Sequence, residues 1–439
     1  MRVALLSYRS KPHGGGQGIY VRHLSRALVR LGHEVTVFSG QPYPELDDGV
    51  ALVKVPSLDL YREPDPFRTP RPSEFRDRID VLEYLAMLTA AFPEPLTFTL
   101  RMARQVERLA ADFDVVHDNQ SLGWGLLALQ RRVPLVTTIH HPISMDRRVD
   151  LAAAPSPWRR VTLRRWYGFV RMQQAVARRL HHVLTVSTSS ALDIARDFGV
   201  DPARITVVPL GVQPEVFAPT GARVPGRIVA TASADTPLKG IDTLLHAVAW
   251  LREQRPVELV LVTRPIPGGA TERLVASLGL TDVVSFRSGL STTELAETMA
   301  SAEICCVPSR YEGFSLPTLE AMSCGTPLVV SDAGALPEVV GPPGECADVV
   351  PPGDPAALAD ALGSLLDDPQ RRERMGAAGR ERASTGYSWE VVARATAAAY
   401  QRAADAYARS RGADARPRGA EDDPAPRPTP GSDPVLPRS

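Results

Sequence analysis

Short apolar runs alternate along this chain with longer segments whose apolar residues recur at helical spacing. The runs are typical of buried strands and the segments between them of amphipathic helices, so their order predicts parallel sheets with right-handed crossovers. The runs form two series. The first comprises residues 2–8, 33–39, 114–117, 134–139, 183–186 and 205–209, and the second comprises 227–232, 257–263, 283–286, 304–307, 328–331 and 348–350.

The two series predict two doubly wound α/β domains that face each other across a cleft. A chain of 439 residues is long enough for each domain to bury its own core. Proline, glycine and the lack of an element pattern predict an interdomain linker, and the lack of apolar content predicts a disordered tail. The predicted parts are a first domain at 1–212, the linker at 213–225, a second domain at 226–385, a closing helix at 386–410 and the tail at 411–439.

The segment 310–330 places two carboxylates, Glu312 and Glu320, on a passage from a loop to a helix. The loop follows the apolar run at 304–308, and residues 316–322 have helical spacing. Free N–H groups and the dipole at a helix N-terminus favour an anion such as a phosphate. Carboxylates beside that anion can accept hydrogen bonds from hydroxyls. Phosphate and hydroxyls together indicate a sugar nucleotide as the ligand.

Two shorter motifs are less specific. The glycine loop at 14–18 lets a phosphate approach the backbone, but its spacing does not fit G-x-G-x-x-G, and an ordinary tight turn explains it equally well. Asp112 and Asp114 have the D-x-D spacing that holds a divalent metal in many sugar-nucleotide enzymes. They lie at the amino end of a predicted strand, opposite the expected ligand edge, so we interpret them as a helix-to-strand junction and expect no required metal.

Two single residues are candidates for chemistry at the cleft. Lys239 follows the first strand of the second domain, where its ammonium can meet a diphosphate. It is one of only three lysines, beside 47 arginines, and chance placement is the alternative. His140 ends a strand of the first domain and is followed by His141. A lone histidine is usually structural, but this position favours contact with a sugar hydroxyl.

Composition narrows the classes of partner. Formal net charge is zero and 44% of residues are hydrophobic, which argues against a nucleic-acid-binding protein. The four cysteines have no metal-ligand or disulfide spacing. No run is long enough to span a membrane and the N-terminal residues lack a signal-peptide pattern, so we expect a cytoplasmic protein.

One arginine-rich segment allows two interpretations of its function. No acidic residue occurs between Leu151 and Leu192, and arginines alternate there with aromatic residues. This pattern predicts a basic aromatic helix at 158–182 that contacts an anionic membrane surface or a charged acceptor. A solvated basic face explains the pattern equally well. Acceptor contacts are expected in residues 151–182 and in residues 56–78, a proline-rich stretch that we interpret as a surface excursion.

The chain resembles the retaining glycosyltransferases of family 4, which have the GT-B architecture of two Rossmann-like domains. Glu312 and Glu320 match the family's E-x7-E signature. Supporting matches run in the family's order from residue 1 to about 400. They are Gly14 to Gly16, Thr138 to His140, Val208 to Val212, Lys239 with Gly240, and Gly334 to Glu338.

The resemblance implies roles for these residues. Glu320 would hold the ribose hydroxyls, and Lys239 would neutralise the diphosphate leaving group. His140 would lie near the reacting sugar. The implied reaction needs no metal and no cofactor, and it retains the anomeric configuration of the sugar. Glu312 would contact the donor sugar. The other residues expected to bind the sugar-nucleotide donor are Gly313, Phe314, Ser315, Leu316, Gly15 and Gly16.

One position departs from the family pattern. The family commonly has an arginine five residues before the lysine, where this chain has Ala234. Arg264, in the loop after the next strand, is expected to substitute for it.

The sequence as a whole predicts an enzyme that transfers a sugar from a nucleoside diphosphate to an unidentified hydroxyl acceptor. A sugar-nucleotide epimerase or phosphorylase of the same fold, or a non-catalytic sugar-nucleotide-binding protein, remains an alternative.

Overall fold

The computed structural model describes residues 1–11, 16–152, 154–232 and 235–414. Its first half contains a seven-stranded parallel sheet with the strand order β3-β2-β1-β4-β5-β6-β7. The strands are β1 (Arg2–Ser7), β2 (Glu34–Ser39), β3 (Ala51–Lys54), β4 (Val115–Asn119), β5 (Leu135–Ile139), β6 (Val183–Thr185) and β7 (Ile205–Val207).

Nine helices lie among the described residues of this half. They are α1 (Gly16–Arg30), α2 (Arg78–Leu88), α3 (Glu94–Ala103), α4 (Val106–Asp112), α5 (Gly125–Gln130), α6 (Ser144–Ala152), α7 (Pro157–Trp166), α8 (Phe169–Ala177) and α9 (Thr188–Phe198). Central strands such as β4 and β5 are buried along their whole length, as expected for a parallel sheet covered on both faces.

The second half has a six-stranded parallel sheet with the order β10-β9-β8-β11-β12-β13. Its strands are β8 (Arg227–Thr231), β9 (Glu258–Val262), β10 (Val284–Arg287), β11 (Ile304–Val307), β12 (Leu328–Ser331) and β13 (Ala347–Val350). Its helices are α10 (Ile241–Arg252), α11 (Ala270–Ser277), α12 (Thr292–Ala300), α13 (Leu316–Ser323), α14 (Leu336–Val340), α15 (Pro355–Asp367), α16 (Pro369–Gly386) and α17 (Trp389–Asp414).

The predicted fold class is confirmed, because both sheets are parallel and each strand order reverses once beside the first strand of its domain. Most predicted strands end within one or two residues of the observed bounds. The edge strand β3 was not predicted, although residues 50–53 are apolar, and its four residues are exposed or half-buried. The domain boundaries stay a prediction, although α17 continues to Asp414, past the predicted end at residue 410.

Two expectations about irregular segments are wrong. The single basic helix expected at 158–182 is two helices, α7 and α8. They are separated by Tyr167 and Gly168, and the Gly168 N–H donates to the Arg165 carbonyl at 3.0 Å. The stretch 56–78 is not wholly a surface excursion. Leu58, Leu60 and other residues of this stretch are buried against Met87 of α2 in a small apolar cluster.

The last helix returns to the first domain. Trp389 at the start of α17 packs against Gly211, where a Cβ would lie 2.8 Å from its ring. Further along, the fully buried Tyr400 places its hydroxyl 2.7 Å from Nδ1 of His117 on β4. Burial lowers the pKa of His117 to about 3, so this hydrogen bond joins two neutral groups. The helix therefore completes the core of a domain made mostly from the other end of the chain.

Candidate active site

The loop between β11 and α13 presents a row of backbone donors. Ser315 has a left-handed backbone with φ of 88°, and its Oγ caps α13 by accepting from the N–H of Thr318 at 3.4 Å. The N–H groups of Phe314, Ser315 and Leu316 donate to no described residue. Because the positive end of the α13 dipole lies at the same place, this loop is suited to bind an anion.

Lys239 and Glu312 meet directly at this loop. The Lys239 Nζ lies 2.7 Å from Oε1 of Glu312, and the Ser309 hydroxyl donates to the same oxygen at 2.8 Å. Lys239 ends a short 3₁₀ turn, and the following Gly240 has φ of 63° and allows the turn to approach the Pro308 carbonyl. The ammonium is thus held at the loop that leads into α13. The sequence did not indicate that these two residues are partners.

Glu320 lies in the second turn of α13. Its side chain is half-buried, and its carboxylate accepts no hydrogen bond from a described residue. Burial raises the pKa of this carboxyl to about 7. A partly buried carboxylate with free lone pairs is unfavourable unless it binds donors, so a ligand that brings hydroxyls to it would gain affinity.

His140 is held rigidly at the end of β5. Its Nε2 lies 2.8 Å from Oδ1 of Asn119, its backbone N–H donates to the Gln120 side chain at 2.7 Å, and Tyr20 packs edge-on at 4.7 Å. Burial lowers the pKa of His140 to about 3. The ring is therefore neutral at physiological pH and suited to hydrogen bonding rather than to carrying charge. The adjacent His141 instead pairs with Asp146 at 3.2 Å.

The start of α9 joins the two domains across the cleft. The hydroxyls of Ser187 and Ser190 both donate to the Gly313 carbonyl, at 2.7 and 3.0 Å. The carboxylate of Glu338 on α14 accepts from the Thr188 N–H at 2.9 Å. These contacts were missed from the sequence. The signal was a serine and threonine run at 187–190 directly after a strand, which is typical of a helix N-cap.

Comparisons with known proteins agree with this geometry. A family model described as Glycosyltransferase Family 4 matches residues 14–216, and one described as Glycosyl transferases group 1 matches residues 212–382. The chain is 60% identical over 405 residues to the MMP alpha-(1->4)-mannosyltransferase of Mycolicibacterium hassiacum, covering 92% of this chain and 98% of that protein. The chain belongs to glycosyltransferase family 4. This glycosyltransferase is also 32% identical to the D-inositol 3-phosphate glycosyltransferase of Kineococcus radiotolerans, covering 92% and 95% of the two chains.

The solved structures give the same fold. Sucrose-phosphate synthase from Thermosynechococcus elongatus superposes with a TM-score of 0.69 at 25% identity, covering 92% of this chain and 99% of that chain. The expected GT-B architecture of the glycosyltransferase is thereby confirmed.

Gly16 and Arg264, two of the predicted donor contacts of the glycosyltransferase, make no described contact with this cluster. Gly15 and the departure at Ala234 lie outside the described residues. Gly16 begins α1 in open space, since a Cβ there would meet nothing within 4 Å. Arg264 is exposed in the loop after β9 and bonds to no described residue, so its substitution for a missing arginine stays a prediction.

The D-x-D motif of the glycosyltransferase lies where the sequence predicted. Asp112 ends α4, and Asp114 accepts from the Arg2 backbone N–H at 2.7 Å at the amino end of the sheet. Among the described residues, no three His, Cys, Asp or Glu side chains are grouped to hold a metal ion. The described part of the chain also has no helix long and apolar enough to cross a membrane.

Gly334→Ala is expected to displace Glu312, because the new Cβ would lie 2.1 Å from the Glu312 carbonyl oxygen at a residue with φ of +57°. Gly344→Ala is the matched control, with φ of +83° and no atom within 4 Å. The control should lose only the left-handed strain of about 1–2 kcal/mol in the free energy of unfolding and keep its transfer rate. Gly334→Ala should lose more stability and also sugar transfer, as measured by urea unfolding and by an activity assay. Equal behaviour of the two variants would contradict the role of this contact.

Proposed function

We propose that this glycosyltransferase moves a mannosyl group from a nucleoside diphosphate mannose to the 4-hydroxyl of an acceptor sugar, with retention of the α configuration. The identity of 60% to an alpha-(1->4)-mannosyltransferase over nearly the whole chain supports the choice of sugar and linkage. An α-(1→4) bond requires a free hydroxyl at carbon 4, so the acceptor ends in a sugar with that hydroxyl unsubstituted.

The observation that carries the proposal is the group of unsatisfied donors at the start of α13. The free N–H groups of residues 314–316 and the Lys239 ammonium are suited to the two phosphates of a donor. Glu320, one to two turns along the same helix, is suited to accept from the ribose hydroxyls. Glu312, held by Lys239 and Ser309, would face the donor sugar.

The transfer step follows from these positions. The acceptor oxygen bonds to the anomeric carbon as the bond from that carbon to the phosphate oxygen breaks, and the acceptor proton passes to the departing phosphate. Negative charge grows on the diphosphate, where Lys239 and the α13 N–H groups stabilise it. Neutral His140 orients a sugar hydroxyl by hydrogen bonding. We propose that no divalent metal is needed, because these groups can supply the positive charge themselves.

Donor and linkage are tested together. Nucleoside diphosphate mannose should raise the thermal midpoint of unfolding more than the glucose analogue does, because a ligand that binds only the folded state stabilises it, by about 2.7 kcal/mol at 100 times its Kd. A mannoside acceptor should be extended with and without a chelator, and its 4-deoxy derivative should not be. Transfer to the 4-deoxy acceptor, or a requirement for added metal, would contradict the corresponding part of the proposal.

We also propose that the enzyme contacts an anionic membrane surface through residues 158–182. Trp158 at the start of α7 is 78% exposed, and the arginines of α7 and α8 have no acidic neighbour in sequence. Exposed tryptophan beside arginine is typical of helices that lie in a membrane interface. Salt-sensitive co-sedimentation with vesicles that contain phosphatidylglycerol, but not with phosphatidylcholine alone, is the expected result.

A further inference from the structure

We infer that the first domain has a binding site for one chain of an anionic lipid, in a groove between helices α2 and α3 on one side and α7 and α8 on the other. This groove, which we call the arginine groove, has a volume of about 850 Å³. That volume lies within the range of small-molecule sites in proteins. The inference rests on the proposed membrane contact for the source of the lipid, but not on the sugar-transfer reaction.

The lining of the arginine groove is apolar apart from hydrogen-bond donors. Leucine, phenylalanine, methionine and alanine side chains form its walls, with Phe92 and Trp124 among them. Its charged groups are four arginines, Arg147, Arg164, Arg165 and Arg171. Among the described lining residues there is no carboxylate or amide side chain, and the Tyr167 hydroxyl already donates to Asp150 at 2.6 Å.

This chemistry selects the class of ligand. Sugars, peptides and nucleobases all present donors that must find acceptors when they are buried, and the side chains that line this groove offer them almost none. The hydrocarbon chain and phosphate of an anionic lipid present acceptors only, and its glycerol hydroxyls can stay in water at the groove opening. Its chain would cover the apolar walls while its head accepts from guanidinium groups.

The arginines are available for such a head group. Arg165 donates to the Thr89 hydroxyl at 2.8 Å and thereby ties α7 to the end of α2. The side chains of Arg147, Arg164 and Arg171 donate to no described residue, and Nε of Arg147 is buried without a hydrogen-bond partner. A buried donor without a partner is costly, so an anion at this place would be stabilised by it.

The rim of the groove indicates that the lipid comes from a membrane. Leu85 and Leu88 are 55% and 59% exposed and lie within one turn of the lining residue Ala86 on α2. Trp158 is 78% exposed and lies one turn before the lining residue Val161 on α7. A rim of this kind can insert among lipid head groups and place the groove opening beside an acyl chain.

Tryptophan quenching distinguishes a filled groove from contact at the rim. The probe is lysophosphatidylglycerol with a brominated acyl chain, kept below its critical micelle concentration. Trp124 lines the groove and Trp158 does not. Monomeric probe should quench the fluorescence of the full-length protein, and Trp124→Phe should reduce that quenching while Trp158→Phe keeps it. The opposite order, or no quenching, would overturn the groove site.

Arginine substitutions give a second readout that does not depend on tryptophan. Arg164→Gln should weaken binding of the monomeric probe about tenfold, because a hydrogen bond to a charged group is lost. Arg160→Gln is the matched control on the same helix, outside the groove, and should bind as the parent does. Equal weakening in both variants would indicate general charge attraction and overturn the site.

Vesicles separate this inference from the membrane contact on which it rests. Binding of phosphatidylglycerol vesicles with quenching of Trp158 alone would keep the membrane contact and overturn the groove. Monomer binding without vesicle binding would keep the groove and overturn the membrane source. If sedimentation showed that the probe instead separates a dimer into monomers, a second copy of the chain would be the natural occupant, and the lipid site would be overturned.

Discussion

Lys239→Ala is expected to lower kcat for sugar transfer by about 10²–10³, the cost of removing one group that stabilises charge developing in a transition state. Among the described residues, Lys239 is the cation that pairs with Glu312 in the loop before α13, with 2.7 Å between Nζ and Oε1. Its loss also leaves the Glu312 carboxylate, which is only 12% exposed, without its counterion. Steady-state kinetics with saturating donor and the intact acceptor would measure the effect.

Lys54→Ala is the control for this experiment, because lysine is rare in the chain. Lys54 ends the edge strand β3, where it is exposed and lies 5.1 Å from the Tyr43 ring. It should transfer sugar at the parent rate. Thermal unfolding of both variants separates a catalytic loss from a folding defect. A folded Lys239→Ala variant with unchanged kcat would remove Lys239 from the mechanism.

Glu320→Ala is expected to weaken nucleotide-sugar binding by roughly 100-fold, because hydrogen bonds from two hydroxyls to a charged acceptor would be lost. Glu320→Gln keeps one acceptor oxygen and should lose about tenfold. Glu297→Gln, on the exposed side of the neighbouring helix α12, is the matched control and should bind normally. Isothermal titration with the donor measures all three. Unchanged affinity in Glu320→Ala would place the ribose elsewhere.

The raised pKa of Glu320 should make the affinity for the nucleotide sugar depend on pH. Hydroxyl donors stabilise the ionised carboxylate, whereas burial in the free enzyme raises its pKa to about 7. Above that pH the free carboxylate is already ionised, and below it a proton must leave on binding, so affinity should fall toward tenfold per pH unit as pH decreases. The donor itself has no second phosphate ionisation near pH 6, unlike a monoester. Glu320→Gln should flatten the profile, and an unchanged profile would assign the titration to another group.

The elements could be predicted because burial on both faces of a parallel sheet leaves a clear apolar run in the sequence. Strand β11 is an example, with all four of its residues buried. The edge strand β3 shows that such a run can be overlooked, because residues 50–53 are apolar although β3 pairs only with β2 and its side chains are exposed or half-buried. The break at Gly168 was missed for a different reason, since the arginines and aromatic residues around it continue without a change of pattern.

The candidate site was predicted residue by residue, but its partnerships were not. Glu312 and Lys239 were each identified from their place after a strand, yet their contact joins positions 73 residues apart. The contact of Ser187 with Gly313 joins positions 126 residues apart and two domains. Periodicity reports on neighbours within a turn or two, so contacts of this range are not visible in it.

The return of α17 to the first domain has a consequence for how the chain is made. A chain that leaves the ribosome from its N-terminus exposes β4 and α1 long before Trp389 and Tyr400 exist to cover them. The first domain therefore cannot close its core until the second domain and α17 have been synthesised. Residues 1–212 produced alone would keep an apolar face open to aggregation, and adding residues 387–414 as a separate peptide should restore their solubility.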